Sequence, residues 1–433
     1  MAGENTVSTL DGFFKEIYAD KLVDLRLKGF VFQNDFKFVN KSKAPGGTYH
    51  QAVQVQHEHG FTYSPSSGGA FTLNAAVAGG TEDATVLGTQ MLLRSRMDYE
   101  TAARATNSRG AFKDATRLLV EEMVAARVKR TEIELLYGQM SIGKIEAVGD
   151  NYVDIYADYW APGIWSGMEG AKVQFFSSQA ATATERVAAL SVGVGAVISA
   201  VNLSTTHATI NRRISFESAY DIDHATLGPV ADDFVYFHGA RTETAHNCFR
   251  GLHSICSATG GTDLFSIDPA NFSLWAPTTY DVDTDLTFSK VQKAVVQAMG
   301  KGLDREICLY ISPRTWSDLL DDEVALRRWN DGKKTNYKVG ADGITFYSQN
   351  GAIKIKTSNY IWESFGYLIA PDLYKRIGAV DWTFNLPGAA EGGRFFENIP
   401  DAAGYELRTY AHQALFTAKP GCSILLNNIT VNA

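Results

Sequence analysis

Two short runs of the sequence contain residue types that hold phosphates. Gly138-Gln-Met-Ser-Ile-Gly143-Lys144 has most of the glycine and lysine spacing of a phosphate-binding loop. Ile145, however, stands where such a loop needs a serine or threonine for magnesium, and the run follows a predicted helix instead of opening one. Gly193-Val-Gly195 lacks the third glycine of a dinucleotide fingerprint. We therefore predict a helix end and a turn at Gly138, and no nucleotide cofactor.

Carboxylate and imidazole side chains occur at two spacings that metal sites use. Asp281, Asp283 and Asp285 match the start of a calcium loop, but a leucine and a glutamine replace its glycine and its bidentate glutamate. His57 and His59 share one face of a predicted strand, and no third ligand is evident. Acidic residues ahead of a helix and a polar interface face explain these patterns more simply, so we predict no metal site.

No nucleophile and base stand in a recognisable catalytic pattern. Ser166, in Gly163-Ile-Trp-Ser-Gly167, does not match the G-x-S-x-G turn that exposes a nucleophilic serine. The sequence therefore predicts no enzyme, no catalytic residue and no cofactor.

Net charge argues against a dedicated nucleic-acid binder. The 433 residues carry a formal net charge of −8, whereas such binders need a basic surface to displace counterions. A solvated loop is the better interpretation of the basic residues between positions 327 and 338.

Cysteine spacing and the distribution of apolar residues indicate the cellular compartment of the chain. The 4 cysteines include no C-x-x-C pair, which favours reduced thiols in a cytosolic setting, and the N-terminus has no secretory signal. The uncharged stretch Val187 to Ile210 alternates between apolar and small polar residues, as a half-buried strand does. We therefore predict no membrane anchor.

These motifs must be positioned by the elements around them, of which the longest is a predicted amphipathic helix from Arg109 to Tyr137. Its charged faces include Glu132 and Glu134, and Arg130 interrupts its apolar stripe. The helix is roughly 40 Å long at 1.5 Å per residue, so we expect a strut whose stripe lies on a sheet or a neighbouring subunit. The residues of the stripe are Phe112, Ala115, Leu119, Met123, Ala126, Ile133 and Tyr137.

Two arms precede this helix. Residues 1 to about 45 carry scattered apolar anchors among charges, so this leading arm is expected to pack on something else. A period-two strand from Tyr49 to Tyr63 is followed by a Gly/Ser/Ala-rich tip, residues 64 to 83, and by a second alternating strand through Met91 and Tyr99. The pattern predicts a long two-stranded β-arm that needs a partner surface.

The chain after the helix divides into two patterns. Residues 140 to about 243 predict short strands of a small barrel or sandwich. From about 244 the pattern is mixed: Thr287 caps a helix, Asn350-Gly351 favours a hairpin, and an alternating strand runs from Tyr405 to Phe416.

This order of elements resembles the major capsid proteins of tailed bacteriophages, which have the Hong Kong 97 fold. The resemblance lies in the arm from Thr48 to Tyr99, the helix from Arg109 to Tyr137, the run from Leu286 to Leu320 and the closing strands after Gly404. It implies an α+β fold with an N-terminal arm, an extended β-hairpin loop, a long spine helix, a mixed α/β axial domain and an inserted β-rich domain. The implied divisions are 1–45, N-terminal arm; 46–105, extended loop; 106–140, spine helix of the peripheral domain; 141–243, β-rich insertion and peripheral strands; 244–400, axial domain; and 401–433, returning peripheral strands.

The resemblance also implies a function. Such a chain assembles with itself as pentamers and hexamers into the icosahedral head shell that encloses the double-stranded DNA genome, without sequence-specific binding and without a membrane. It would be located in the virion, after assembly in the host cytoplasm, with a scaffolding protein and a portal as partners and a decoration protein as a further candidate. The residues expected at intersubunit contacts are Tyr49, Val53, Val55, Phe61, Tyr63, Arg94 and Arg96.

Three alternatives remain open from sequence. An encapsulin, which shares the fold, would form a nanocompartment shell around a cargo enzyme. A tail or baseplate component and an enzyme of unknown type are the others.

Overall fold

The computed structural model describes residues 29–40, 48–98, 100, 115–186, 195–203, 212–220, 222–224, 227–320, 345–348, 351–384, 397–398 and 404–431. The predicted α+β class is confirmed, since most elements are strands in mixed sheets and one helix is much longer than the others. The helices are α1 Phe32–Asp35, α2 Ala115–Tyr137, α3 Pro162–Trp165, α4 Leu252–Cys256, α5 Phe288–Met299 and α6 Pro313–Leu320, with 3₁₀ turns at Ala157–Tyr159, Pro371–Leu373 and Pro420–Cys422.

The strands run from the N-terminal arm to the last described residues. They are β1 Phe38–Asn40, β2 Thr48–Gln54, β3 Thr81–Leu87, β4 Thr89–Asp98, β5 Gly143–Gly149, β6 Tyr152–Ile155, β7 Lys172–Phe176, β8 Glu185–Arg186, β9 Ala196–Val201, β10 Arg213–Phe216, β11 Phe234–Phe237, β12 Thr278–Asp281, β13 Cys308–Ile311, β14 Thr345–Ser348, β15 Gly351–Thr357, β16 Gly366–Ile369, β17 Tyr374–Thr383, β18 Glu397–Asn398, β19 Gly404–Thr417 and β20 Ile424–Asn427.

The long helix α2 passes through two environments. Up to Arg130 most of its described side chains are half-buried, whereas every residue from Thr131 to Tyr137 is buried. The predicted stripe is correct at Met123, Ile133 and Tyr137 and wrong at Ala126, which is exposed. Residues 109–114 of the predicted helix lie outside the described residues.

Glu132 and Glu134 correct the prediction, because both side chains are buried and not on a solvated face. The last two turns of α2 are surrounded by other elements: α1 and α4 contact the helix, and Tyr137 stacks on Trp362 with 4.0 Å between ring centroids. A helix covered on all sides has no solvent face on which to place charges.

The β-arm is a hairpin of β2 and β3, not of the two strands predicted. Thr48 pairs with Leu87 and Gln54 with Thr81, so the returning strand begins within the segment predicted to be the tip. The strand through Met91, called β4 here, instead pairs with β19 over ten residue positions. Alternation predicted β4 correctly, whereas the first predicted strand ends at Gln54 and not at Tyr63, and β3 was not predicted. Alternation carries no information about which strand is the partner.

The other sheets confirm several predicted elements. β1, β17, β19, β18 and β4 form a five-stranded sheet, and β12, β20, β16, β13, β15 and β14 form a six-stranded one. Thr287 caps α5 by accepting a hydrogen bond from the Lys290 amide, as predicted. β14 and β15 form the predicted hairpin, but Gly351 pairs with Ser348 in the ladder and is not a turn residue, and Asn350 lies outside the described residues.

A closed barrel occupies the stretch between the long helix and α4. Its strands follow the order β11, β5, β6, β10, β9, β7, and β7 pairs back to β11, with β8 attached at the β7 edge. The predicted strand within Val187 to Ile210 appears as β9, and residues 187–194 and 204–210 of that stretch lie outside the described part. None of the described helices has the length and apolar character needed to cross a membrane.

Candidate intersubunit surfaces

The phosphate-loop run closes the long helix, as predicted from sequence. The Gly138 amide donates to the carbonyl of Glu134 at 2.8 Å, and Gln139 adopts a φ of 66°. Lys144 lies in β5, where its ammonium contacts the Asp232 carboxylate at 2.6 Å. This contact raises the pKa of Lys144 and lowers that of Asp232. The lysine that a phosphate would need is thus engaged in the barrel.

The calcium-like run already contains a cation from the chain itself. The Lys290 ammonium donates to the carbonyls of Val282 and Asp285, at 2.9 and 3.0 Å, and to the Thr284 hydroxyl. Among the described residues no group of three or more His, Cys, Asp or Glu side chains is placed to hold a metal ion.

The tip of the β-arm is the most exposed apolar surface of the described chain. Every residue from 56 to 78 except Thr62 is exposed. Phe61 is 73% and Tyr63 87% exposed, and Leu73 is 75% exposed. Soluble chains rarely present such a patch without a partner.

The base of the arm is attached to its own chain. Tyr49 meets Phe416 edge to face at 5.3 Å between centroids, Val53 packs against the core, and Val55 is 8% exposed. The Thr85 amide donates to the Phe265 carbonyl at 2.9 Å. Of the five predicted arm contacts, Tyr49 and Val53 therefore pack on the core of their own chain and Val55 is buried, whereas Phe61 and Tyr63 at the tip are exposed.

Arg94 and Arg96 lie on the exposed face of the five-stranded sheet. Both guanidinium groups contact the Glu406 carboxylate, at 2.8 and 3.2 Å, and Arg408 contacts it at 2.5 Å. The hydrogen bond from Arg408, followed by that from Arg96, lowers the pKa of Glu406. Three arginines share this glutamate, and Glu397 pairs with Arg408 at 3.1 Å. The cluster therefore keeps a surplus positive charge.

Glu132 joins the N-terminal segment to the long helix. Its carboxylate accepts hydrogen bonds from the amides of Val31, Phe32 and Gln33, at 2.7, 2.9 and 2.9 Å. Burial raises the pKa of Glu132 to about 7, and the three donors act in the opposite direction. Lys356 holds the same segment through Asp35 at 2.6 Å.

A groove runs beside the half-buried part of α2, before Thr131, and we call it the helix groove. Its walls are residues 120–134 of α2, residues 90–93 of β4, residues 166–168 after α3 and residues 237–240 after β11. Its volume is about 1370 Å³. Lys129 lies in this wall, where burial lowers its pKa to about 8 and its ammonium donates to the Ser166 carbonyl at 2.5 Å.

Sequence reasoning missed Glu132, Arg408 and the helix groove. The four-residue spacing of Val120, Val124 and Val128 is a visible signal for the groove wall. No sequence signal pairs Glu132 with backbone amides about a hundred residues away.

No protein-family model and no curated protein sequence matches this chain. Among solved structures, the cyanophage A-1(L) capsid is similar over 98% of this chain and 100% of that one, with a TM-score of 0.58 and 10% identity. The cyanophage P-SCSP1u capsid gives a TM-score of 0.46 at 11% identity, covering 98% and 95% of the two chains. The holo-SrpI encapsulin complex from Synechococcus elongatus gives 0.44 at 8% identity, covering 100% and 98%.

The likeness to the cyanophage A-1(L) capsid extends over almost the whole of both chains, so the chain has a capsid-protein fold. This likeness agrees with the capsid fold that the order of elements in the sequence predicted.

Proposed function

We propose that this chain is the major capsid protein of a tailed phage. In this proposal it assembles as pentamers and hexamers into an icosahedral shell around double-stranded DNA, in the host cytoplasm, and remains in the virion. The six sequence divisions given above serve as the domains, from the N-terminal arm to the returning peripheral strands. The proposed partners are other copies of the chain, a scaffolding protein and a portal, with a decoration protein as a further candidate.

The observation that carries the proposal is the arm, which is fixed at its base and exposed at its tip. The base pairs β2 with β3 and bonds to the core, so the arm has a defined direction. The tip presents Phe61, Tyr63 and Leu73 to solvent. Burying such side chains against a neighbour contributes about 25 cal/mol per Å² of apolar surface. A rigid projection with an apolar end suits a heterologous contact, and such contacts close into shells when their rotation closes.

Replacing the arm tip tests this proposal. Gln56 and Gly80 exchange backbone hydrogen bonds at 3.3 and 3.2 Å, so residues 57–79 can be replaced by Asn-Gly, which makes a two-residue hairpin turn. We expect the parent to form closed megadalton shells, alone or with a co-expressed scaffolding protein. The shortened chain should stay folded and unassembled. Light scattering and negative-stain electron microscopy measure assembly, and circular dichroism measures folding.

The matched control is Leu227→Ser, which removes an exposed leucine outside the arm (53% exposed) and should leave assembly unchanged. Closed shells from the shortened chain would contradict the proposed role of the tip. A parent chain that stays monomeric with every scaffold would contradict the capsid function itself. Shells purified from the native host that contain a protein cargo and no DNA would favour the encapsulin alternative.

A further inference from the structure

A turn with left-handed backbone lies beside the base of the β-arm, and we call it the 264–267 turn. Phe265 and Ser266 at its centre have φ values of 55° and 68°. Leu264 and Ile267 on either side exchange backbone hydrogen bonds at 2.9 and 3.2 Å. Hairpin turns with two positive φ values normally contain asparagine and glycine, because a Cβ disfavours the left-handed region. Phenylalanine and serine are strained there, so other contacts must offset the strain.

The inner side of the 264–267 turn is fixed to the core. The Phe265 ring is 8% exposed and meets Phe416 of β19 edge to face, with 5.1 Å between ring centroids. The indole Nε1 of Trp275 donates to the Leu264 carbonyl at 3.0 Å. These contacts hold the turn in place, but they use neither the carbonyl of Phe265 nor the hydroxyl of Ser266.

Those two groups bond to the β-arm. The Phe265 carbonyl accepts from the Thr85 amide at 2.9 Å, and the hydroxyls of Ser266 and Thr85 are hydrogen-bonded to each other. The two strained residues are therefore the two that bond to β3. Strained backbone persists where the surrounding structure over-determines it, and it is concentrated where position matters for function.

These bonds act close to the point where the arm joins the rest of the chain. Gly88 alone connects β3, in the two-stranded sheet of the arm, to β4, in the five-stranded sheet. Thr85 pairs with His50 of β2, and its amide faces away from β2 because it bonds to the 264–267 turn. Tyr49 of β2 packs on the Phe416 ring, but an apolar contact is non-directional, whereas a hydrogen bond requires a particular angle. Bonds on the outer side of β3 can thus fix the angle of the hairpin without altering its pairing.

We propose that the 264–267 turn is a catch that sets the direction of the β-arm, and that the hairpin turns about Gly88 when Thr85 leaves this catch. A released turn lacks the hydrogen bonds that offset its left-handed backbone, so strain and contact are coupled. The proposal concerns the direction of the arm in a single subunit, whereas shell formation depends on what the tip meets. Each can therefore fail while the other holds.

Distances between two spin labels in the full-length, unassembled chain measure the direction of the arm. Glu58→Cys places one label on the arm, in the stretch where the His59 amide donates to the Val77 carbonyl. Val296→Cys places the other on α5, at a position that is 55% exposed, and the four native cysteines are buried. The parent should give one narrow distance population. Thr85→Pro removes both groups that bond to the turn and keeps the pairing with β2, so it should broaden this population.

Asp83→Pro is the matched control. Asp83 is exposed and pairs with Ala52, on the same outer side of β3 as Thr85, so its amide also faces away from β2. This variant should keep the narrow population of the parent. A broad population in the parent, or equal broadening by the two proline substitutions, would overturn the proposal.

Ser266→Gly separates the catch from stability and does not depend on how the proline variants fold. Glycine adopts a positive φ without strain, so the melting temperature should not fall. The variant lacks the hydroxyl that bonds to Thr85, so the Thr85 amide should exchange with solvent about fivefold faster, which corresponds to one hydrogen bond. Unchanged or slower exchange at Thr85 would overturn the proposal, because a turn that served only the core would be stabilised by glycine with no effect on the arm.

Discussion

Glu132 is a buried carboxylate whose partners are backbone amides. It is 0% exposed, and the three amides at the start of α1 are all within 2.9 Å of its oxygens. Four amides at a helix start have no partner within the helix, so a carboxylate there replaces water. One side chain of the long helix thereby fixes where the N-terminal segment enters the fold.

Glu132→Gln should lower stability and change its pH dependence. Glutamine keeps one acceptor but turns an amide toward backbone donors, which costs about 2 kcal/mol. The pKa of Glu132 is raised from 4.5 to about 7, so the folded chain binds the proton more tightly than the unfolded chain. The stability from this group is therefore complete below pH 4.5 and is lost as pH rises through about 7.

Thermal unfolding between pH 4.5 and 8 measures this effect. The decline in melting temperature should be shallower in Glu132→Gln than in the parent. Glu122→Gln, an exposed site on the same helix, should keep the parental slope. An unchanged slope in Glu132→Gln would show that this carboxylate does not titrate in that window.

The last turns and the middle of the long helix have different roles. Its last turns belong to the core, where Leu135 and Leu136 are fully buried and the Tyr137 hydroxyl accepts from the Trp362 amide at 2.8 Å. Its middle carries the half-buried valines of the helix groove. The long helix therefore connects the barrel, the five-stranded sheet and the N-terminal segment. One flank of its middle part remains half-buried.

Shortening a side chain should lower the free energy of unfolding more in the last turns of the long helix than in its middle. Leu136→Ala opens a cavity in the core and should lower the free energy of unfolding by about 2–5 kcal/mol. Val120→Ala, on the half-buried flank, should cost less than about 1 kcal/mol. Urea unfolding followed by tryptophan fluorescence compares them. Equal losses would mean that the two halves are buried alike.

Periodicity predicted individual elements well and their partners poorly. Thr287, the helix from Ala115 and the strand through Met91 were all visible in sequence, because capping and alternation are local properties. The pairing of β4 with β19 joins residues more than three hundred positions apart, so no local pattern encodes it. The same limit applies to Glu132, whose charge suggested a solvated face. Phe61 and Tyr63 were predicted on a strand that continued to Tyr63, but the strand ends at Gln54 and both side chains lie in the exposed tip.

At the scale of the whole molecule, the described chain presents surfaces of different chemistry to its surroundings. The arm tip is apolar, and the arginine cluster on the five-stranded sheet has more cations than carboxylates. The chain as a whole carries a net charge of −8, and a positive cluster on one copy is attracted to carboxylates on another wherever the two surfaces meet. Arg94 and Arg96, which were predicted as intersubunit contacts, thus pair with Glu406 of their own chain. The cluster of three arginines and two glutamates keeps a net positive charge.

Arg94→Ala with Arg96→Ala should weaken assembly more than folding. Glu406 is buried but keeps its contact with Arg408 in this variant, so the melting temperature of the subunit should fall less than assembly does. Shells should form less completely, and their salt sensitivity should fall, because screening acts on contacts that the variant lacks. Light scattering at rising sodium chloride measures both effects.

The control for that pair is Arg305→Ala with Lys354→Ala, which removes two charges from exposed ion pairs outside the sheet. If the arginine variant assembled like the parent and with the same salt dependence, the arginine cluster would lie away from any interface.

The barrel begins and ends on neighbouring strands. Phe234 pairs with Lys144 and Val235 with Gly143, and the Ile142 amide donates to the Val235 carbonyl at 2.8 Å. A unit whose two ends adjoin can be exchanged as a cassette without redirecting the chain on either side. Another module could therefore take the place of the barrel, provided that it covers Trp362, which Tyr159 of the barrel segment meets edge to face at 5.0 Å between ring centroids. For the protein engineer, the same junction is a place to graft a foreign domain onto this fold.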